Sequence, residues 1–416
     1  MSTQPKSFAD RIMAGIGGWL MSHMELVFRI ARNTVPILVV TFKGKRFALV
    51  TRFDDVAEVL THPNVFDVIY APKLNLLMDG GNIFLGMRDT PASTQDRSSM
   101  RLATPRAEAL TRIRPEVEAM ADAAMAKVAP AGRVDLAMEL TQDVTTRFFG
   151  GYFGTPADDI TAFSDDARLL FQFMFADMAN DPALEARVRP VAAAMRARVE
   201  KCIADRKGDR GKHDDVLERC LELQDIGTPG MDDDGIRNNM IGYIVGGLPQ
   251  PPMIIPQLFD VLLDRPTELA GAQAAALADD DDLVSRYVFE ALRYYPLTPG
   301  LFRDCSADYE IAGGTMRSRI IPAGTRVMAA TRSAMFDGRR VATPKKFRLD
   351  RPDFTYMNFG WGFHQCFGLY INQQMTPAIC KAVLKRPGLR RAAGPEGKLR
   401  LEGIFAMNLT VEFDPS

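Results

Sequence analysis

The sequence predicts a mainly helical protein with small β-sheets, folded as one domain over residues 1–416. Three observations carry this. Apolar residues recur at helical spacing through most of 92–295. β-type runs are confined to short regions near 35–52, 308–331 and 398–413, with a helical body elsewhere. No internal repeat, low-complexity tract or linker divides the chain.

Taken in order, residues 8–31 alternate apolar and polar at helical spacing and read as one or two helices. Residues 35–50 hold two β-rich runs around Lys43-Gly44, a hairpin pattern. Residues 53–60, opened by Asp54-Asp55 and closed before Pro63, read as a short helix. Residues 64–87 read as an irregular loop rich in Leu, Met and Phe, long enough to suggest a function. Helices are expected at 92–113, 114–129, 138–150, 156–178, 183–206 and 213–225, punctuated by Pro115, Gly132, Gly150-Gly151 and Pro182. Within them, 171–178 is aromatic and Met-rich, which reads first as core and second as a pocket wall. Further helices are expected at 232–264, 266–278 and 281–295, the last behind the acidic run 279–282 that suits an N-terminus. Short strands follow at 308–331, with a turn at Pro322-Ala323-Gly324, and at 398–413.

Composition narrows the function. An apolar fraction of 47% supplies a core able to enclose a cofactor. Lys+Arg (51) nearly balances Asp+Glu (52), so nothing points to nucleic acid. The five cysteines (202, 220, 305, 366, 380) show no CxxC pairing, against secretion and against a zinc site. No apolar run near the N-terminus approaches the roughly 20 residues of a membrane span. A soluble, cytoplasmic protein is expected; a membrane-surface role for 8–31 is the weaker alternative.

The chemistry centres on 359–368: Phe359-Gly360-Trp361-Gly362-Phe363-His364-Gln365-Cys366-Phe367-Gly368. Glycines permit a tight backbone, and a helical run over 369–385 follows. A cysteine just before a helix N-terminus is placed where dipole and free N–H groups favour thiolate. Taken alone, it reads either as a small buried hydrophobe or as an axial ligand for haem iron. The order Phe-x-x-Gly-x-His-x-Cys-x-Gly resembles the haem-binding signature of the haem-thiolate cytochromes, the cytochromes P-450, bacterial soluble type. That resemblance implies the P-450 fold, haem b as cofactor, Cys366 as the iron ligand, and Phe359 and Gly368 as parts of the haem loop.

Glu290 and Arg293 lie three apart on a helix with apolar flanks, so they share a face that is expected to be buried. Buried charges need good geometry and further partners. The family pattern implies one: Glu-x-x-Arg joined by an arginine before the haem loop, here Arg351, as a structural triad. The resemblance also implies propionate contacts at His364, at Arg303 and at Arg97, with Arg101 as the fallback. Ser93 stands where the family usually has a histidine.

The main departure lies in the long central helix that in the family crosses the distal haem face. Its Ala/Gly-Gly-x-Asp/Glu-Thr pattern ends in an acid and an alcohol that relay protons. Here the chain reads Gly246-Gly247-Leu248-Pro249-Gln250-Pro251-Pro252. Pro249 has no proton to relay, and the amide of Gln250 is a poor acid. Each interior proline removes a helical N–H at about 3 kcal/mol or more. The helix is therefore expected to kink or break between 245 and 256, around Pro249–Pro252, with Gly246 and Gly247 leaving room and Gln250 orienting substrate.

Two functions follow. One is a monooxygenase acting on a small apolar substrate, with electrons from a separate ferredoxin and ferredoxin reductase. The other is a peroxide-using, or a hydroperoxide-rearranging or dehydrating, enzyme, because the acid–alcohol pair is replaced. Arg339, Arg340, Lys345, Lys346 and Arg348 read either as a solvated face or as a dock for an acidic redox partner. Lys73 and Asn82 are candidates for a substrate carboxylate.

Overall fold

The computed structural model describes residues 24–415. The helix expected at 8–31 lies partly outside them, and what is described is Met24–Thr34. The fold is mainly helical with small sheets, and its described residues divide into two compact units.

One unit comprises 24–67, 299–345 and 360–362. Its sheet runs in the order Ile37–Phe42, Lys45–Val50, Arg326–Ala329, Leu301–Cys305, Phe66–Val68. The first two strands pair antiparallel across Lys43-Gly44, both with positive φ (49° and 75°), the left-handed pair a tight hairpin turn needs. Phe53–Thr61 packs here as a helix, and Asp55 in its first turn takes a fork of hydrogen bonds from Arg317 at 2.9 and 3.1 Å. Gly362 belongs to this unit. It holds φ +68°, and a Cβ there would come within 2.6 Å of the Leu60 carbonyl oxygen, so only glycine fits.

The other unit comprises 68–298, 346–359 and 363–415 and carries most of the helices. The Arg114–Val128 helix packs along Leu369–Leu384, and Asp233–Gly247 packs along Pro182–Gly208. The strands near 398–413 belong to this helical unit. Thr410–Glu412 pairs antiparallel with both Arg133–Asp135 and Arg390–Arg391, two strands too short to leave a period-2 pattern. Residues 64–87 are less irregular than expected: they contain Phe66–Val68, a helix Ala71–Leu77 started by Pro72, and a 3₁₀ turn Phe84–Gly86. Three expected helices carry π-turns, at Ala109–Ile113, Leu136–Thr141 and Gln172–Ala176. Among the described residues no helix is long and apolar enough to cross a membrane.

Candidate functional site

Cys366 sits at the end of a loop that closes on itself. Its N–H donates to the Phe359 carbonyl at 2.8 Å, and the Leu369 N–H reaches the Cys366 carbonyl at 3.3 Å as the Leu369–Leu384 helix begins. His364 ends a 3₁₀ turn, Gly362–His364, with its ring edge-on to Phe363 at 4.9 Å. The cysteine is half-buried. Burial pushes its thiol up; the Gly368 backbone and the charges of Arg97 and Arg101 pull the other way without prevailing. A metal deprotonates a coordinating thiol outright.

Arg97 and Arg101 stand one turn apart on Pro91–Ala103 and both grip the cysteine loop. Arg97 donates to the carbonyls of Phe363 (2.6 Å) and Gln365 (3.0 Å). Arg101 donates to the Phe367 carbonyl at 3.1 Å and lies over the Phe367 ring, 3.8 Å from its centroid. Ser93 is consumed by the helix start: it exchanges hydrogen bonds with Thr90 in a capping box. Arg303 lies in the sheet unit on Leu301–Cys305, buried, with Nη1 donating to the Phe302 carbonyl at 2.9 Å.

The structure brings Glu290, Arg293 and Arg351 together. Arg293 forks onto both Glu290 oxygens (2.9 and 2.7 Å), and both residues are 0% exposed. Arg351 Nε reaches the same two oxygens at 3.1 Å each and donates through Nη2 to the Lys346 carbonyl at 2.7 Å. The Arg348 N–H and the Tyr356 hydroxyl complete the carboxylate's shell at 3.0 and 3.3 Å. Burial, then the Glu290 charge, pushes the Tyr356 phenol well up, so it serves as a donor. Phe289, beside Glu290, meets Phe359 edge to face at 5.9 Å, which carries the triad's order to the start of the cysteine loop.

The central helix is interrupted where the prolines fall. One helix ends at Gly247 and the next runs Gln250–Leu263, with Leu248 and Pro249 between. Both keep right-handed helical dihedrals (φ −62°, ψ −42°; φ −74°, ψ −21°), so the interruption is one of hydrogen bonding. Of the two glycines only Gly246 leaves room, since a Cβ there meets nothing within 4 Å. At Gly247 it would lie 2.4 Å from the Phe149 ring, so that glycine serves close packing. Gln250 is half-buried at the start of the second helix, and Pro251 and Pro252 are buried in its first turn.

Lys73 is not poised for a substrate carboxylate: its Nζ pairs with Asp177 Oδ2 at 2.9 Å, under the Phe173 ring. Asn82 accepts the Ile83 N–H. The basic residues proposed as a dock are partly neutralised, Arg339 by Asp337, Arg340 by Asp54 and Arg348 by Asp350. Asp96 escaped the sequence reading. Its half-buried carboxylate, pushed up by desolvation, joins the Phe84 N–H (2.7 Å) to the Asn239 amide (2.9 Å) on the central helix. A lone Asp in a polar helix gives no pattern that would have marked it.

For a haem the residues present fit: a half-buried sulfur donor, two guanidiniums within electrostatic reach and a glycine facing open space on the central helix. Residues 282–392 match the family model described as cytochrome P450. The chain is 26% identical over 407 residues, 95% of its length and 97% of the relative's, to the mycinamicin VIII C21 methyl hydroxylase of Micromonospora griseorubida. It is 26% identical over 367 residues, 85% of each chain, to the nocardicin C N-oxygenase of Nocardia uniformis subsp. tsuyamanensis. Among solved structures, CalO2 superposes with a TM-score of 0.80 at 22% identity, covering 95% of this chain and 97% of that one.

Proposed function

We propose that this chain is a haem-thiolate enzyme of monooxygenase type, as its match to the cytochrome P450 family model over 282–392 and its relatives support, and that it oxidises a small apolar organic molecule with electrons from a separate ferredoxin and its reductase. Haem b bound through Cys366 supplies the chemistry: one atom of molecular oxygen enters the substrate, the other leaves as water, and two electrons and two protons are consumed.

The observation that carries this is the hold on Cys366. Its loop is closed by the Phe359 carbonyl, which accepts the Cys366 N–H, and Arg97 and Arg101 fix the carbonyls of Phe363, Gln365 and Phe367. His364 serves the propionates, and Arg303 is taken with it on the resemblance. Glu290, Arg293 and Arg351 hold the backbone that presents the loop. Gly246 gives substrate room, and the apolar Pro251, Pro252 and Met253 keep water out of the adjoining turn. Relatives named as a methyl hydroxylase, an N-oxygenase and an epoxidase support this reading.

A second reading, direct use of a peroxide or hydroperoxide, is favoured by Pro249-Gln250, which offers no acid–alcohol relay. Gln250 then orients substrate by hydrogen bonding. Turnover of haem-loaded protein decides between them. Product formed with ferredoxin, reductase and oxygen, and lost without reductant, supports the monooxygenase. Product formed from peroxide alone, with none from the reducing system, supports the second reading.

A further inference from the structure

Asp96 stands beside Arg97 on Pro91–Ala103 but holds a different neighbour. Its Oδ2 accepts the Phe84 N–H at 2.7 Å, and its Oδ1 accepts Asn239 Nδ2 at 2.9 Å. Phe84 opens the 3₁₀ turn Phe84–Gly86, where an N–H has no partner within the turn itself. Asn239 Nδ2 also donates to the Gly235 carbonyl at 3.1 Å, which fixes the amide with its nitrogen toward Asp96. Both neighbours are therefore donors. A carboxylate offers each of them an acceptor, where an amide would turn an N–H toward one.

The segment held in this way lies close against the central helix. A Cβ on Gly81 would come within 2.4 Å of Asn238 Nδ2, and one on Gly242 within 2.6 Å of Ile83 Cδ1, so glycine permits the approach at both points. Gly242 and Gly246 lie one turn apart on the same helix face, and a Cβ on Gly246 would meet nothing within 4 Å. Ile83 thus borders the open stretch of helix at Gly246. Phe84, also buried, sets its ring 5.0 Å from that of Phe367, the residue after Cys366. Two apolar side chains beside the site therefore depend on one carboxylate for their tie to the helix.

We infer that Asp96 sets how large a substrate the site admits: as a positioning residue it fastens segment 81–86 to the central helix, and with it the apolar wall of Ile83 and Phe84. A wall held in place rejects a bulky molecule by contact, and a loosened one yields to it. This role presupposes the haem site read from Cys366 and Gly246.

Haem-loaded parent, Asp96→Leu and Asn239→Ala proteins are titrated with imidazole and with phenylimidazole, a small and a larger nitrogen ligand for iron, each followed by absorption. Hydrogen exchange is read at the Phe84 amide. Asp96→Leu keeps the volume and removes both acceptors, so Phe84 exchange is expected to quicken by about threefold to tenfold, the scale of one lost hydrogen bond. The ratio of the phenylimidazole Kd to the imidazole Kd is expected to fall by about threefold or more. Asn239→Ala keeps the Asp96–Phe84 bond and removes the tie to the helix, so its ratio should fall as well. Unchanged Phe84 exchange in Asp96→Leu overturns the inference, and so does quickened exchange with an unchanged ratio. If Asp96→Leu does not fold, an unchanged ratio in Asn239→Ala overturns it. Failure of the haem reading shows separately, as a parent without the thiolate-type carbon monoxide band, and leaves the exchange measurement standing.

Discussion

Arg351 Nε lies 3.1 Å from each carboxylate oxygen of Glu290, a residue 61 positions earlier, and Arg293 forks onto the same two oxygens. One buried carboxylate therefore ties a helix to the segment that leads into the cysteine loop. Removing it leaves two buried guanidiniums facing each other, which costs about 3–5 kcal/mol. Glu290→Ala is expected to lose haem during purification, and its apparent melting temperature is expected to fall. A Glu290→Ala protein with full haem content and parental stability contradicts this role.

The paired glycines of the central helix should answer differently to one methyl group. Gly247→Ala drives a Cβ to 2.4 Å from the Phe149 ring, itself stacked on Phe153 at 4.9 Å, and overpacking of that kind costs about 1–3 kcal/mol. Gly246→Ala meets nothing and gains helix propensity of up to about 1 kcal/mol. Thermal melts should rank Gly246→Ala at or above the parent and Gly247→Ala below it. Spectral titrations should show weaker substrate binding for Gly246→Ala, where the methyl fills open space. Equal melting temperatures for the two variants would refute the packing account.

Lys73 and Asp177 make a buried pair between the Ala71–Leu77 helix and the turn after Gln172–Ala176. Burial works against the Asp177 charge, yet Lys73 and the N–H groups of Asp181 and Asn180 outweigh it and hold the carboxyl below its ordinary value. A depressed folded-state value means stability that is present above the unfolded value near 3.8 and lost as pH falls through the folded one. Asp177→Asn should cost about 3 kcal/mol near neutral pH. The gap in melting temperature between parent and variant should narrow as pH drops below about 4. A gap that stays constant from pH 6 to 3 rules out the linkage.

The cysteine loop and the triad were legible because their residues are close in sequence or fall at one helical spacing: Phe359 to Gly368 within ten positions, Glu290 and Arg293 at i,i+3. Pro249, Pro251 and Pro252 each lack an N–H that the ladder needs, which marks where the helical hydrogen bonding gives way, but the expected kink does not show in the right-handed dihedrals of Leu248 and Pro249, which depend on packing around them. Lys73 was misread because Asp177 is 104 positions away, and no spacing announces such a pair. Asp96 acts as a single side chain on the Phe84 N–H, and one residue makes no pattern. The π-turns share the apolar period of the helices they extend, so only hydrogen bonding distinguishes them.

The most direct test of the whole account is the absorption spectrum of the reduced, carbon monoxide-bound protein, parent against Cys366→Ser. The parent should show the red-shifted band of thiolate-ligated haem, and Cys366→Ser should lose it while keeping the helical content of the fold. Persistence of an unchanged thiolate-type band in Cys366→Ser would place the iron on another ligand and contradict the account.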